Sequence, residues 1–301
     1  MAGICESIDS TIAPLTHQDF HQTIALFKNE SDEKMIRHYT ILGLSVLMLL
    51  THIASAWAAQ DSDAEIAKKL ANPLATMISV PFQFNWDQRI GPQHAGEKFN
   101  MNLQPVIPIQ LNNGGAIISR TILPFDWQDE VAPRENTDFG IGDITQSFFY
   151  SPSPQSDTVV GIGPAFLIPT ATDKYMGAQK WGVGPTAIVL HQGKSWTSGV
   201  LANHLWGVAG SGPTLTQTFI QPFLAYRTPD AWSYTLNSEA SYDWNAKKAS
   251  VPVNFMISKV TKFGKLPVSL AGGVGYWVDS PKLTGPEGWR FRTAITFVLP
   301  E

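Results

Sequence analysis

The sequence predicts an all-β fold: a single transmembrane antiparallel β-barrel of about twelve strands, preceded by a signal peptide and a short N-terminal helix. Three observations predict it, namely strands with one apolar and one polar face, their regular recurrence, and connections of alternating length. In Ala231–Trp244, every second residue from Trp232 is apolar or small, with aromatic residues at both ends, and the residues between are polar. Successive side chains of a strand point to opposite faces, so one face suits lipid and the other water. At about 3.3 Å per residue and a tilt of ~40°, this strand reaches roughly 30 Å, the thickness of a hydrocarbon core.

The composition agrees with a barrel and excludes one class of partner. Charged residues make up 15% of the chain, below the ~25% of a typical soluble domain. From Gln60 onward, 18 Lys and Arg face 19 Asp and Glu. A nearly neutral chain gives no electrostatic case for binding nucleic acid.

Residues 35–59 have the pattern of a secretory signal peptide. Arg37 and His38 precede the apolar run Ile41–Leu50, and Ala56-Trp57-Ala58 supplies a cleavage site of the A-x-A type. An uncleaved inner-membrane helix over Tyr39–Ala59 is the alternative. The cleaved signal predicts export and, with the strands, location in the cell outer membrane.

Residues 1–34 precede this signal, where a signal peptide should itself begin. We interpret them as a start-site artefact or a disordered extension, with Met35 as the true start. Cys5 is the only cysteine. The exported chain would then have no disulfide and no thiolate site.

Residues 60–73 predict a short amphipathic helix or a leader to the first strand. Acidic residues stand at its start, Ile66 and Leu70 are four apart, and Lys68 and Lys69 lie near its end. Three positions stay open: a plug in the lumen, a periplasmic helix, or a mobile leader. The barrel itself is predicted over residues 74–301.

Twelve alternating segments follow at intervals of roughly 18 residues. They are 76–87, 99–110, 115–124, 139–151, 157–169, 181–191, 196–209, 214–227, 231–244, 250–261, 266–278 and 288–299. A soluble sandwich would also alternate, but with shorter strands and fewer Trp and Tyr residues at their ends.

The connections support a barrel with both termini in the periplasm. Long connections alternate with short turns such as NNGG and QGKS. The long connections are 88–98, 125–138, 170–180 and 279–287. Short periplasmic turns and longer external loops are the pattern of outer-membrane barrels. The seventh and ninth connections, near GSGP and NAKKA, are shorter than this pattern requires.

Prolines inside the predicted strands argue against regular pairing. Each removes a ladder hydrogen bond, so bulges or broken pairing are expected beside them. They are Pro81, Pro105, Pro108, Pro164, Pro185, Pro222 and Pro252.

Several phrases carry a resemblance to a known family. In order they read LANPLATMISVPFQFNWD, LQPVIPIQL, ISRTILPF, FGIGDITQSFFYSP, GIGPAFLIPTATD, KWGVGPTAIVL, GVLANHLWGVAG, IQPFLAY and WRFRTAITFVLP. From Lys68 to Glu301 the chain resembles the bacterial outer-membrane transporter family named for the meta-pathway of phenol degradation, often mislabelled neuromedin U. The resemblance implies an outer-membrane barrel and passage of small, often hydrophobic compounds. It implies no catalytic residues.

Charged residues on the polar faces are candidates for the lumen. They are Arg120, Asp143, Glu239, Asp243, Arg290 and Arg292. Charges at membrane depth are costly unless they pair or face water. Two interpretations stay open: a selectivity constriction of opposed carboxylates and guanidiniums, or a salt-bridge network that fills a small barrel. Twelve strands leave a narrow lumen, so selective passage is favoured over bulk diffusion.

The apolar faces predict aromatic girdles at the two membrane interfaces. The candidates are Trp86, Trp232, Trp244 and Trp289. Expected partners are a small-molecule solute, outer-membrane lipid and the barrel-assembly machinery. That machinery usually reads a terminal aromatic residue, and here the last one, Phe297, is four residues from the end.

Two other functions are weighed against a channel, and no cofactor or metal is expected. A lipid-hydrolysing barrel needs a His–Ser pair and a group that orients the His. His204 has Asn203 and Ser198 nearby, but neighbouring residues of a strand face opposite sides and no GxSxG occurs. A structural or adhesive barrel would instead act through loops 125–138 and 170–180. The acidic residues of the first loop lack the spacing of a calcium loop.

Overall fold

The computed structural model describes residues 62–131 and 138–299. The predicted signal peptide and residues 1–34 lie outside the described residues, as does part of loop 125–138. No helix among the described residues is long and apolar enough to cross a membrane.

The described chain forms one closed antiparallel barrel of twelve strands after a single helix. Each strand pairs with the next in sequence, and the last pairs with the first from Ile78↔Leu299 to Asp87↔Arg290. The helix is α1 (Asp63–Leu70), and the strands are β1 (Ile78–Ile90), β2 (Gly96–Leu103 and Val106–Gln110), β3 (Ala116–Asp129), β4 (Asp138–Ile141 and Ile144–Ser151), β5 (Thr158–Ile168), β6 (Lys180–Gln192), β7 (Trp196–Gly210), β8 (Thr216–Arg227), β9 (Trp232–Ser238 and Ala240–Asp243), β10 (Lys248–Phe263), β11 (Leu266–Asp279) and β12 (Gly288–Leu299).

The two ends of the barrel differ in their connections. The turn end carries turns 111–115, 152–157, 193–195, 228–231 and 264–265. The segment 71–77, which joins α1 to β1, lies at the same end. The loop end carries connections 91–95, 169–179, 211–215, 244–247 and 280–287, and β3 ends and β4 begins there.

The predicted twelve-stranded barrel is confirmed, and the strand limits differ by a few residues. The largest difference is in β3, which continues to Asp129, where the sequence predicts a loop from Phe125. Phe125 and Trp127 pair with Met101 and Phe99, so the apolar face continues. The acidic residues of this stretch suggested a loop, but Asp126 is buried inside the barrel.

The predicted faces are confirmed by burial. Trp86, Phe255 and Phe291 are exposed on the outer wall, where lipid would cover them. Asn85 and Arg290, which alternate with two of these, are buried inside the barrel. The outer wall is therefore apolar and much of the inner wall is polar.

Breaks in the pairing occur at some of the prolines, as predicted. Pro105 lies in the interruption of β2. The pairing of β6 with β7 is lost at Pro185, and β10 shifts register against β11 at Pro252. Pro164 and Pro222 keep their pairing with β6 and β7, respectively, but the pairing of Pro164 with β4 and of Pro222 with β9 is interrupted.

Helix α1 packs against the inner wall at the turn end. The Ser62 side chain caps it by accepting a hydrogen bond from the Glu65 N–H. Its apolar residues Ile66 and Ala67 are buried against Val260 and Val298, which point into the barrel. This places α1 inside the turn end of the lumen, where it lines the cavity.

Apolar side chains fill one side of the lumen beyond the helix. They come from the inner faces of β2 to β7, with Leu74 from the segment after α1, and the buried members are Leu74, Val106, Ala116, Ile118, Phe149, Val159, Ile188, Leu190 and Leu201. The open space is therefore confined to the other side of the barrel.

Candidate functional site in the lumen

A cavity of about 290 Å³ lies inside the barrel. Helix α1 and the following residues line it at the turn end, and the inner faces of β9 to β12 and β1 to β3 form its walls. Toward the loop end it meets a network of charged and amide side chains. These features make the lumen the candidate functional site.

The central contact of this network is a bidentate ion pair. Arg292 donates from Nη1 and Nη2 to the two carboxylate oxygens of Glu239, at 2.9 and 2.7 Å. Its Nε also donates to Asn85 Oδ1 at 2.6 Å. Bidentate, charge-assisted contacts of this kind are among the stronger ones in proteins. Glu239 occupies the interruption of β9, from which its carboxylate reaches Arg292 on β12.

Asn85 connects Arg292 to a second carboxylate, that of Asp126, through a chain of hydrogen bonds. Its amide donates to Asn100 Oδ1 at 3.0 Å, and the Asn100 amide donates to Asp126 Oδ1 at 2.7 Å. Asp126 is paired with Lys98 at 3.1 Å. A continuous chain of polar contacts thus joins β9, β12, β1, β2 and β3.

A second ion pair lies beside the first, two residues nearer the loop end along β12. Arg290 donates to Asp87 Oδ2 at 2.7 Å, and both side chains are 7% exposed. The Trp277 indole donates to the other Asp87 oxygen at 2.7 Å. The Arg290 guanidinium also lies 4.7 Å from the Trp277 ring centre, a cation–π contact.

Arg120 differs from Arg290 and Arg292 because no described carboxylate is in contact with it. Its Nη2 donates to Gln104 Oε1 at 3.2 Å. Glu239 attracts it electrostatically, but no described carboxylate oxygen lies within 4.0 Å of it. Arg120 lines the cavity.

The charged side chains that line the cavity are all cationic. They are Lys69 from α1, Arg120 and Arg292. Asp and Glu are absent from the described lining, and the nearby carboxylates of Glu239 and Asp87 are paired with Arg292 and Arg290. The cavity therefore has a positive electrostatic character.

The structure brings four of the six lumen candidates together and places two elsewhere. Arg120, Glu239, Arg290 and Arg292 form the site described above. Asp143 lies in the interruption of β4, where it accepts hydrogen bonds from the Ala171 and Ala178 N–H groups of loop 169–179. Asp243 accepts from the N–H groups of Asn245 and Ala246, within the turn that follows β9.

Several residues of the site were absent from the candidates of the sequence: Asn85, Asp87, Lys98, Asn100, Gln104, Asp126 and Trp277. A signal for Asp87 exists in the sequence, because it alternates onto the inner face of the first strand. Barrel closure pairs that strand with the last, which carries Arg290 and Arg292. Gln104 likewise alternates onto the inner face of the second predicted strand, but its contact with Arg120 depends on the register. Trp277 has no comparable signal.

The four predicted interface aromatics all point outward. Trp232 lies at the turn end beside Lys259, whose ammonium is 4.8 Å from its ring centre. Trp86, Trp244 and Trp289 lie at the loop end, where their ring centres are 4.9 to 5.8 Å from those of Phe291, Tyr242 and Tyr276, respectively. Aromatic residues therefore mark both ends of the outer wall.

His204 lies on the outer wall without a serine partner. Its Nδ1 is 2.7 Å from the Thr218 hydroxyl, and its ring contacts Trp206. Ser198 is six residues away on the same strand, roughly 20 Å along it. Within the described residues, the hydroxyl beside His204 belongs to a threonine that also accepts from the Trp244 indole at 2.8 Å.

Comparison with protein-family models and with curated proteins finds no match. Among solved structures, the chain is similar to the COG4313 outer membrane channel from Pseudomonas putida F1, with a TM-score of 0.59 and 13% identity over 74% of this chain and 96% of that one. It also matches the NanC porin, with a TM-score of 0.46 and 9% identity over 74% and 100% of the two chains. It matches outer membrane phospholipase A from Escherichia coli with a TM-score of 0.45 and 11% identity over 78% of this chain and 98% of that one. The first likeness shows a shared barrel fold.

Proposed function

We propose that the protein is an outer-membrane channel for small hydrophobic or aromatic compounds, which pass through its narrow lumen. It acts without a cofactor and without catalysis. The observation that carries the proposal is a cavity of mixed polar and apolar lining, enclosed by a wall that is apolar outside and ringed by aromatic residues at both ends. Such a wall is matched to a bilayer, and such an interior is matched to water and solute.

The arrangement of the lumen supports selective passage. The ion pairs of Arg292 and Arg290 narrow the path toward the loop end, and α1 narrows it at the turn end. The apolar cluster closes one side of the barrel. A solute must therefore pass between charged side chains at close range, which is how pores discriminate among solutes.

Two further observations support the proposal. The chain is similar in fold to a barrel described as an outer membrane channel. The sequence phrases resemble the transporter family named for the meta-pathway of phenol degradation, and that resemblance is the source of the hydrophobic or aromatic solute class. Export through a cleaved signal peptide and insertion by the barrel-assembly machinery belong to the same proposal.

Purified protein in a planar lipid bilayer tests this function. We expect discrete conductance steps that are absent from protein-free bilayers. The Arg120→Ala variant should move the reversal potential under a salt gradient toward cation selectivity, because it removes a positive charge from the cavity. Absent conductance together with absent solute flux would remove the channel interpretation.

The alternative functions predict different results. A barrel that hydrolyses lipid would release fatty acid from vesicles and lose this activity in His204→Ala. A surface barrel without a transport role would conduct no ions and would lose partner binding when loop 169–179 is shortened. His204 lacks a serine partner among the described residues, so the geometry favours the channel.

A further inference from the structure

We propose that the lumen cavity is a binding site for a small monocarboxylate with an apolar body, and that Arg120 holds the carboxylate. This inference rests on the proposed channel function and specifies the chemical class of its solute.

The first argument for this site is the charge of the side chains that line the cavity. Its charged lining residues are all cationic, and the Arg292 charge is already neutralised by Glu239. Arg290 is likewise neutralised by Asp87. Arg120 is left without a carboxylate in contact, so a solute carboxylate would complete its ion pairing.

The second argument is the hydrogen bonding of the Arg120 guanidinium. A guanidinium has five N–H donors, and the described contacts of Arg120 use one of them, toward Gln104 Oε1. That contact holds the guanidinium against the wall made by β2 and β3. The remaining donors suit a carboxylate, which accepts two parallel hydrogen bonds from such a group.

The rest of the lining defines the body of the ligand. Apolar side chains from three parts of the barrel face the cavity: Met77 just before β1, Val106 on β2, and Met256 and Val260 on β10. Two of these are methionines, which adapt their shape to flat or branched apolar groups. The cavity of about 290 Å³ lies at the small end of the ~300–1,000 Å³ typical of ligand pockets. It fits one aromatic ring or a short aliphatic chain.

Benzoate and benzamide test the proposal, since they share one shape and differ in charge. Binding of each to the purified protein in detergent is measured by titration calorimetry, and each is then added to the bilayer to measure block of the conductance. We expect benzoate to bind and to block, and benzamide to do so at least tenfold more weakly. Arg120→Gln should weaken benzoate binding on the order of tenfold or more, the loss of one charge-assisted contact, and leave benzamide unchanged.

Matched variants separate the site from general charge effects. Lys194→Gln removes a positive charge from an exposed turn and should leave benzoate binding unchanged. Arg120→Lys should retain part of it. If Arg120→Gln fails to form a heat-stable barrel on gels, Gln104→Leu serves instead, because it removes the partner that orients Arg120.

The outcomes also separate this inference from the channel function. A conducting protein that binds benzoate and benzamide equally, or neither, overturns the carboxylate site and leaves the channel standing. Loss of benzoate binding in Lys69→Gln but not in Arg120→Gln overturns the role of Arg120. A protein that binds benzoate selectively but never conducts keeps the site and removes the channel.

Discussion

Arg292 and Glu239 form a bidentate ion pair, with contacts of 2.9 and 2.7 Å between residues 53 apart in sequence. The pair joins β12 to β9, which are separated by two other strands, so it extends across part of the lumen. The Arg292 side chain is 2% exposed and the Glu239 side chain 23%. The pair thus narrows the path between the cavity and the loop end.

Removing one partner of this pair should destabilise the barrel. In Arg292→Gln the Glu239 carboxylate loses both hydrogen bonds inside the barrel, and we expect a loss of about 3–5 kcal/mol in the free energy of unfolding. Urea unfolding of the barrel in detergent, followed by tryptophan fluorescence, measures this loss.

A double variant distinguishes the pair from simple packing. Arg292→Met combined with Glu239→Leu should be more stable than Arg292→Gln, because no unpaired charge remains. Lys194→Gln is the control for charge removal outside the lumen. An unfolding free energy of Arg292→Gln equal to that of Lys194→Gln would contradict the role of the pair.

Asp87 should hold both Arg290 and Trp277. In Asp87→Asn the negative charge is lost and one oxygen acceptor is lost with it, so we expect about 1–3 kcal/mol of destabilisation and a changed Trp277 environment. Urea unfolding and near-ultraviolet circular dichroism measure the two effects. Asp279→Asn, at the exposed end of β11, is the matched control. Identical spectra and stabilities for the two variants would argue against the contact.

Asp143 should anchor loop 169–179 at the loop end. Its two carboxylate oxygens accept from Ala171 at 3.1 Å and Ala178 at 2.6 Å. Lys174, within this loop, is already exposed, so Asp143→Ala should act by releasing the loop backbone, which raises the rate of trypsin cleavage there several-fold. Asp143→Asn, which keeps one acceptor, should be intermediate. Mass spectrometry of the fragments measures the rate. Asp157→Ala, in an exposed turn at the other end, should match the wild type, and equal cleavage of all variants would exclude the anchor.

Helix α1 should restrict the conductance. Ile66 is 2% exposed against the inner wall, and an unpaired carboxylate there costs several kcal/mol, so Ile66→Asp should release the helix. We expect a larger single-channel conductance in planar bilayers than in the wild type. Glu65→Gln, on the exposed face of the same helix, should conduct as the wild type does. An unchanged or smaller conductance in Ile66→Asp would mean that α1 does not obstruct the path.

The strands could be predicted because each one carries its own pattern. The alternation of Trp289, Phe291 and Ile295 with Arg290 and Arg292 depends only on neighbours along the chain and on a two-sided environment. The same reasoning ended β3 too early, at Pro124, because an acidic residue flanked by aromatic residues is typical of a loop. Asp126 is instead buried inside the barrel, where it is paired with Lys98.

The contacts of the lumen could not be predicted in the same way. Asp87 and Arg290 are 203 residues apart, and their pairing follows from barrel closure together with one particular register. A shift of that register by two residues would leave both on the inner face but give each a different partner. The alternation predicts both Asp143 and Glu239 as charged residues of the lumen. In the structure Asp143 binds the backbone of a loop, whereas Glu239 binds Arg292.

The most direct test of the channel is the swelling of proteoliposomes in solutes of graded size. Liposomes containing the purified protein should swell in small solutes and stop swelling as the solute grows beyond what a narrow twelve-stranded lumen admits. Swelling rates equal to those of protein-free liposomes for every solute, with the barrel correctly folded, would contradict the account.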